Sequence, residues 1–158
     1  MDRQKLDRID LMLISILQER GRITNAQLAA EVGLSPSRTL ERVRRLENRG
    51  VIEKYVALVD PDALGRGTLA YVQVALSRHG IESIDRFLEA IRAIPEVLEC
   101  HHIAGDFDYL LKVRVENIPA YQEFALRRLT SLDGIRTFET YFVLGTEKQA
   151  TALPVPKE

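Results

Sequence analysis

The feature that most constrains this chain is the punctuation between residues 33 and 50. Gly33-Leu34 is followed by Ser35-Pro36, an arginine-rich run comes next, and Gly50 closes it. Serine is a strong helix cap, and proline fits the first helical position because its missing amide hydrogen would have had no partner there. Gly33 supplies the left-handed exit of a preceding short helix, Asn25 to Val32, with Leu28 and Ala29 facing inward. Upstream, Leu6, Ile9, Leu13, Ile16 and Leu17 recur at helical spacing until Gly21, which predicts a helix from Leu6 to Arg20. Three helices with a glycine-marked turn before the third predict a helix-turn-helix.

The third predicted helix, Pro36 to Arg49, carries the chemistry. With about 100° per residue and Arg38 at zero, Arg42, Arg45 and Arg49 fall near 40°, 340° and 20°, while Leu40, Val43 and Leu46 fall near 200°, 140° and 80°. That pattern predicts an apolar side docked on the other two helices and a guanidinium stripe left outward. Arginine suits DNA because its planar fork donates two bonds to guanine or clamps a phosphate. Ser37 and Thr39 add hydroxyls for phosphate, and with the capping Ser35 and the neighbouring Glu41 the DNA-binding candidates are Ser35, Ser37, Arg38, Thr39, Glu41, Arg42, Arg45 and Arg49. The competing reading is a solvated face tied down by Glu41 and Glu47. Glu47, near 180°, interrupts the pattern.

After Gly50, Val51 to Val59 is rich in β-branched and aromatic residues and reads as an exit strand or wing. Asp60 to Gly67 reads as a linker. Beyond it the pattern is strand Thr68–Leu76, helix Ile81–Ile94, strands Val97–Ala104 and Phe107–Val115, helix Pro119–Leu132 and strand Ile135–Leu144. This βαββαβ order is ferredoxin-like, so the fold class is α+β: a winged helix-turn-helix over 1–59, a linker over 60–67, a ferredoxin-like domain over 68–144 and a tail over 145–158 without clear periodicity. Both alternating sets of the last strand contain apolar residues: Phe138, Phe142 and Leu144 on one side, Ile135, Tyr141 and Val143 on the other. Helices cover only one face of such a sheet, so a second subunit is the expected cover.

Charge divides along the same line. Overall the chain carries 22 Lys/Arg and 23 Asp/Glu, yet residues 1–54 are net +3 and residues 55–158 net −4. A basic head on an acidic body directs nucleic acid to the head. Charged and apolar residues alternate over Met1 to Asp10, unlike a signal peptide, and no apolar run is long enough to span a bilayer, so a cytoplasmic, nucleoid-associated protein is expected. The one cysteine, Cys100, reads as a small hydrophobe in a strand.

The runs Leu6-Asp7-Arg8-Ile9-Asp10, Gly21-Arg22-Ile23-Thr24-Asn25, Gly33-Leu34-Ser35-Pro36, Arg42-Val43-Arg44-Arg45-Leu46-Glu47 and Gly50-Val51-Ile52 resemble the Lrp/AsnC family of transcription factors. So do Glu99-Cys100-His101, Gly105-Asp106-Phe107-Asp108-Tyr109-Leu110-Leu111 and Lys148-Gln149. The resemblance implies homodimers, often assembled to octamers, that bind and bend promoter DNA and respond to an amino acid, leucine or another small apolar one, held between C-terminal domains. A local regulator with a different effector, or none, stays open. Asp106 and Asp108 flank the tip of a hairpin beside Gly105, and two carboxylates suit an ammonium group. Gly105, Asp106 and Asp108 are therefore the effector-binding candidates, with Tyr141 on the last strand as a fourth. Asp106 as a turn residue and Asp108 as a structural partner is the competing reading.

An enzyme is the remote alternative, since small βαββαβ domains also host catalysis. His101 and His102, adjacent on a strand, point to opposite faces, and His79 is distant, so no metal spacing results. No phosphate-binding glycine loop or nucleophile motif is present, and neither cofactor nor metal is expected.

Overall fold

The computed structural model describes residues 6–77 and 80–156, so His79 and the first five residues lie outside it. The chain divides into two compact units: one runs to Leu58 and is joined by the chain from Lys148 onward, and the other spans Val59–Glu147.

The first unit contains α1 (Arg8–Glu19), α2 (Asn25–Val32) and α3 (Pro36–Asn48). Each start is fixed by a side chain. Asp7 and Thr24 form capping boxes with Asp10 and Gln27, and the Ser35 hydroxyl accepts from the Arg38 amide. Each of the last two ends is fixed by a glycine. Gly33, at φ 68°, ends α2. Gly50, at φ 67°, ends α3 in a Schellman turn: its own N–H donates to Glu47 O and that of Val51 to Leu46 O, at 2.9 Å each. Leu13, Leu28, Val32 and Leu46 form the buried centre.

Val51–Val59 is not a strand. The segment is irregular and pairs with no strand among the described residues, and Val56, Leu58 and Val59 are exposed. Strand propensity reports fit to a sheet surface, and no sheet edge is offered to it here. Tyr55 instead donates through its hydroxyl to Glu47 Oε1 at 3.1 Å. Desolvation, with the Glu47 carboxylate beside it, pushes the Tyr55 phenol up to about 12. Glu47 thus stands exposed at the end of α3, outside the apolar docking face. Residues 145–156 have no regular structure, yet they return to the head: the Gln18 side-chain amide donates to Leu153 O at 3.1 Å and accepts from Leu153 N at 2.7 Å.

The second unit is β1 (Thr68–Leu76), α4 (Ile81–Arg92), β2 (Val97–His102), β3 (Tyr109–Val115), α5 (Ile118–Phe124) and β4 (Ile135–Phe142). Its sheet is antiparallel in the order β2-β3-β1-β4, the ferredoxin-like arrangement. Ala70, Val72, Val74, Leu111 and Val113 line the buried face, with Phe87 and Ile91 of α4 and Tyr121 and Phe124 of α5 packed among the same core. The helix expected over Pro119–Leu132 is α for its first part only, then a π turn over Ala125–Leu129 closed by Thr130 N to Ala125 O. Thr130 and Ser131 bond their hydroxyls back to carbonyls of residues 126–128, a local competition that loosens a helix end.

The other sheet face is less apolar than alternation alone indicates. Register places Tyr71 against Tyr141, Gln73 against Glu139 and Ala75 against Thr137, with Leu110, Lys112 and Glu99 on the neighbouring strands. A register shift after Ala75 carries Ile135 to the core side, so it does not join Tyr141.

Candidate nucleic-acid interface and effector hairpin

The register of α3 on the other helices decides what it presents. Thr39 and Leu46 are fully buried and Val43 packs on the core, whereas Leu40 is 40% exposed. The inward direction is therefore centred near Thr39, at about 100° on the wheel, and not near Val43 and Leu40. Thr39 is thereby removed from the DNA-binding candidates: its hydroxyl is buried and has no hydrogen-bond partner among the described residues. Leu40 leaves the apolar docking face for the same reason.

The rotation also divides the arginines. Arg42 and Arg45 turn toward α1: Arg42 Nη1 lies 2.6 Å from Asp7 Oδ2 and 2.8 Å from Asp10 Oδ1, and Arg45 Nη2 lies 3.1 and 3.2 Å from the two Asp10 oxygens. Asp10 is 2% exposed, so it draws its compensation from these guanidinia. Hydrogen bonds from the Asp10 amide, then from Arg42, hold the Asp7 carboxyl below the usual carboxylate range, and Asp7 raises Arg42 in turn. The outward surface is an open groove that includes Ser37, Arg38, Glu41, Arg44, Asn48 and Arg49, and Arg42 and Arg45 line its side toward α1. Arg44 and Asn48 were missed by the stripe. On the wheel they fall near 240° and 280°, opposite Thr39, so centring it on Thr39, Val43 and Leu46 would have found them. Ser35 stays at the cap, its Oγ 3.2 Å from that of Ser37. Asn25 Nδ2 donates to Pro36 O at 2.8 Å and fixes the start of α3 against α2.

In the second unit, Gly105 sits at φ 144° and, with Asp106, is exposed at the tip of the β2–β3 connection. Asp108 is used by the fold. Its Oδ2 accepts from Leu76 N at 2.7 Å, its amide donates to Val74 O, and its carbonyl accepts from Ile103 N. Tyr141 is half-exposed and donates to Glu139 Oε2 at 2.8 Å, the contact that raises its phenol. Tyr141 lies opposite Tyr71, four residues along β1 from Ala75. At about 3.3 Å per residue, that puts Tyr141 roughly 13 Å from the hairpin end, so one subunit does not bring the four candidates together. Cys100 is free and half-buried, and burial pushes its thiol up. His101 contacts Glu99 Oε2 while His102 stacks on Tyr109, on opposite faces.

Comparison with known proteins agrees with both units. Residues 6–53 match the winged helix-turn-helix DNA-binding model, and residues 69–153 match the Lrp/AsnC ligand binding domain. The chain belongs to the Lrp/AsnC family. It is 42% identical over 150 residues to the leucine-responsive regulatory proteins of Escherichia coli and Klebsiella pneumoniae, covering 95% of this chain and 92% of each relative. A Neisseria meningitidis transcriptional regulator in complex with L-Met superposes with a TM-score of 0.91 at 36% identity, covering 95% of this chain and 97% of that one. An AsnC family regulator from Agrobacterium tumefaciens gives 0.89 at 37% identity, with 94% and 96% covered. This Lrp/AsnC chain is a DNA-binding transcriptional regulator with an amino-acid-binding domain.

Proposed function

We propose that this regulator reads duplex DNA with the outward face of α3, works as a homodimer or larger assembly, and changes its DNA affinity on binding leucine or another small apolar amino acid. It has no catalytic role. The observation that carries the reading is the placement of Ser37, Arg38, Arg44, Asn48 and Arg49 along one groove of the capped third helix. Two-fold pairing of such heads suits half-sites about one helical turn apart, at 10 to 10.5 base pairs or a multiple. For the effector, exposed Gly105 and Asp106 offer a backbone and a carboxylate to an amino acid, with Tyr141 supplied from a neighbouring subunit. Asp108 braces the hairpin from within.

Within that class, methionine in place of leucine is the effector that the structural relative bound to L-Met favours. Enrichment of duplexes from a randomised pool, repeated with each amino acid and paired with light scattering, tests these claims. The expected result is an enriched dyad whose affinity, together with particle size, shifts with one or a few apolar amino acids. No enrichment would contradict DNA reading, and an indifferent response to every amino acid would contradict the sensing role.

A further inference from the structure

We propose that Asp7 and Asp10 determine how selectively α3 reads DNA, by holding Arg42 and Arg45 as charge-compensated, oriented donors. This rests on α3 being the reading helix. Among the described residues Asp10 is the one buried charged side chain, and it lies in the first turn of α1, where a helix N-terminus favours an anion. Its partners come from the neighbouring reading helix, 32 and 35 residues away. The contacts to the two carboxylates run through one terminal nitrogen in each arginine, and a guanidinium has five N–H donors.

Two consequences follow for a duplex at this seam. First, two carboxylates cancel two guanidinia, so Arg42 and Arg45 add little net attraction for a phosphate backbone of any sequence. That attraction falls to exposed arginines such as Arg38 and Arg44. Second, a long side chain already immobilised on folding gives up little rotamer freedom on binding. The guanidinium is held in place before DNA arrives, which rewards a correctly placed acceptor and not mere proximity of charge. Releasing either arginine turns a directional donor into a mobile positive charge, and mobile positive charge strengthens binding to every sequence.

Asp7→Asn is the clean variant. Asparagine caps a helix as well as aspartate, and the Asp7 side chain is half-exposed, so α1 is retained while Arg42 loses one compensating charge. Binding would be compared on a duplex enriched from a random pool by the wild-type protein and on a shuffled duplex of the same composition, over a salt series. The expected result is tighter binding of the shuffled duplex and a salt dependence steeper by about 0.9. The enriched-to-shuffled ratio should fall about fivefold, the lower bound of what one oriented arginine contributes to discrimination. Asp10→Asn should act in the same direction, and Asp7→Asn with Arg42→Gln should return the salt slope to the wild-type value. An Asp7→Asn protein with unchanged slope and ratio, whatever its melting temperature, shows that the acidic pair is structural only and overturns the proposal. A wild-type protein that enriches no duplex removes the reading helix itself, a separate failure.

Discussion

Replacing Asp108 with alanine should destabilise the sheet before it affects any ligand. The Asp108 carboxylate closes the end of β1 by accepting from Leu76 N at 2.7 Å, a short charge-assisted bond to a residue only 3% exposed. Alanine leaves that amide without its acceptor in a place water does not readily reach, at about 1 to 3 kcal/mol. For a unit of this size each kcal/mol lowers the midpoint by about 4 to 8 °C. Calorimetry of the full chain should therefore show one transition moving down by about 4 to 24 °C, with the other in place. Asp108→Asn keeps an acceptor oxygen and should lose about half as much. This pair of variants separates fold from sensing: an Asp108→Asn protein that folds normally but ignores the amino acid would show that the ligand needs the carboxylate charge. An alanine variant as stable as the wild type would refute the reasoning, because the bond to Leu76 would then contribute nothing.

Thr39→Val should be neutral or stabilising by up to about 1 kcal/mol, since it replaces a buried hydroxyl with no partner among the described residues, and DNA affinity should not change; a loss of affinity would restore Thr39 as a contact. Gln18→Ala should lower the stability of the head by about 1 kcal/mol by releasing Leu153, read as a lower urea midpoint and faster amide exchange in the tail. Asp7 and Glu99 are held below the usual carboxylate range, the first chiefly by the Asp10 amide and the second chiefly by Lys112. The unfolded chain therefore takes up protons first, so their contributions are complete above about pH 5 and are lost as pH falls through the depressed folded values. Glu99→Gln should flatten the acid limb of the sheet transition, and Asp7→Asn that of the head.

Elements carried by strong local signals were legible in the sequence. Ser35-Pro36, Gly33 and Gly50 bracket α2 and α3 where expected, because caps and left-handed exits are decided within a few residues. The strand–helix order of the second unit was equally clear, and the ferredoxin-like sheet follows from it. What failed was information held by neighbours. Residues 51–59 have strand composition but no edge to join, and the π turn after Phe124 depends on hydroxyl bonds back to the helix. The arginine stripe was centred wrongly because Thr39, a polar residue, faces the core and Leu40 does not, which only docking reveals. Asp10 was read as part of a helical run, yet its partners lie on a different helix. Asp108 proved to be held by a backbone amide of β1, a contact invisible to a reading that follows the hairpin alone.

The central claim is that the outward face of α3, centred opposite Thr39, is the surface that meets DNA. Arg38 and Arg44 are exposed on that face and lie outside the bonds to Asp7 and Asp10, so removing both should leave folding intact. The decisive measurement is the salt dependence of binding by Arg38→Ala/Arg44→Ala to the duplex that the wild-type protein enriches. An unchanged melting temperature, a large loss of affinity and a slope shallower by about 0.9 for each arginine that contacts phosphate are predicted. Wild-type affinity and slope in the double variant would contradict the account.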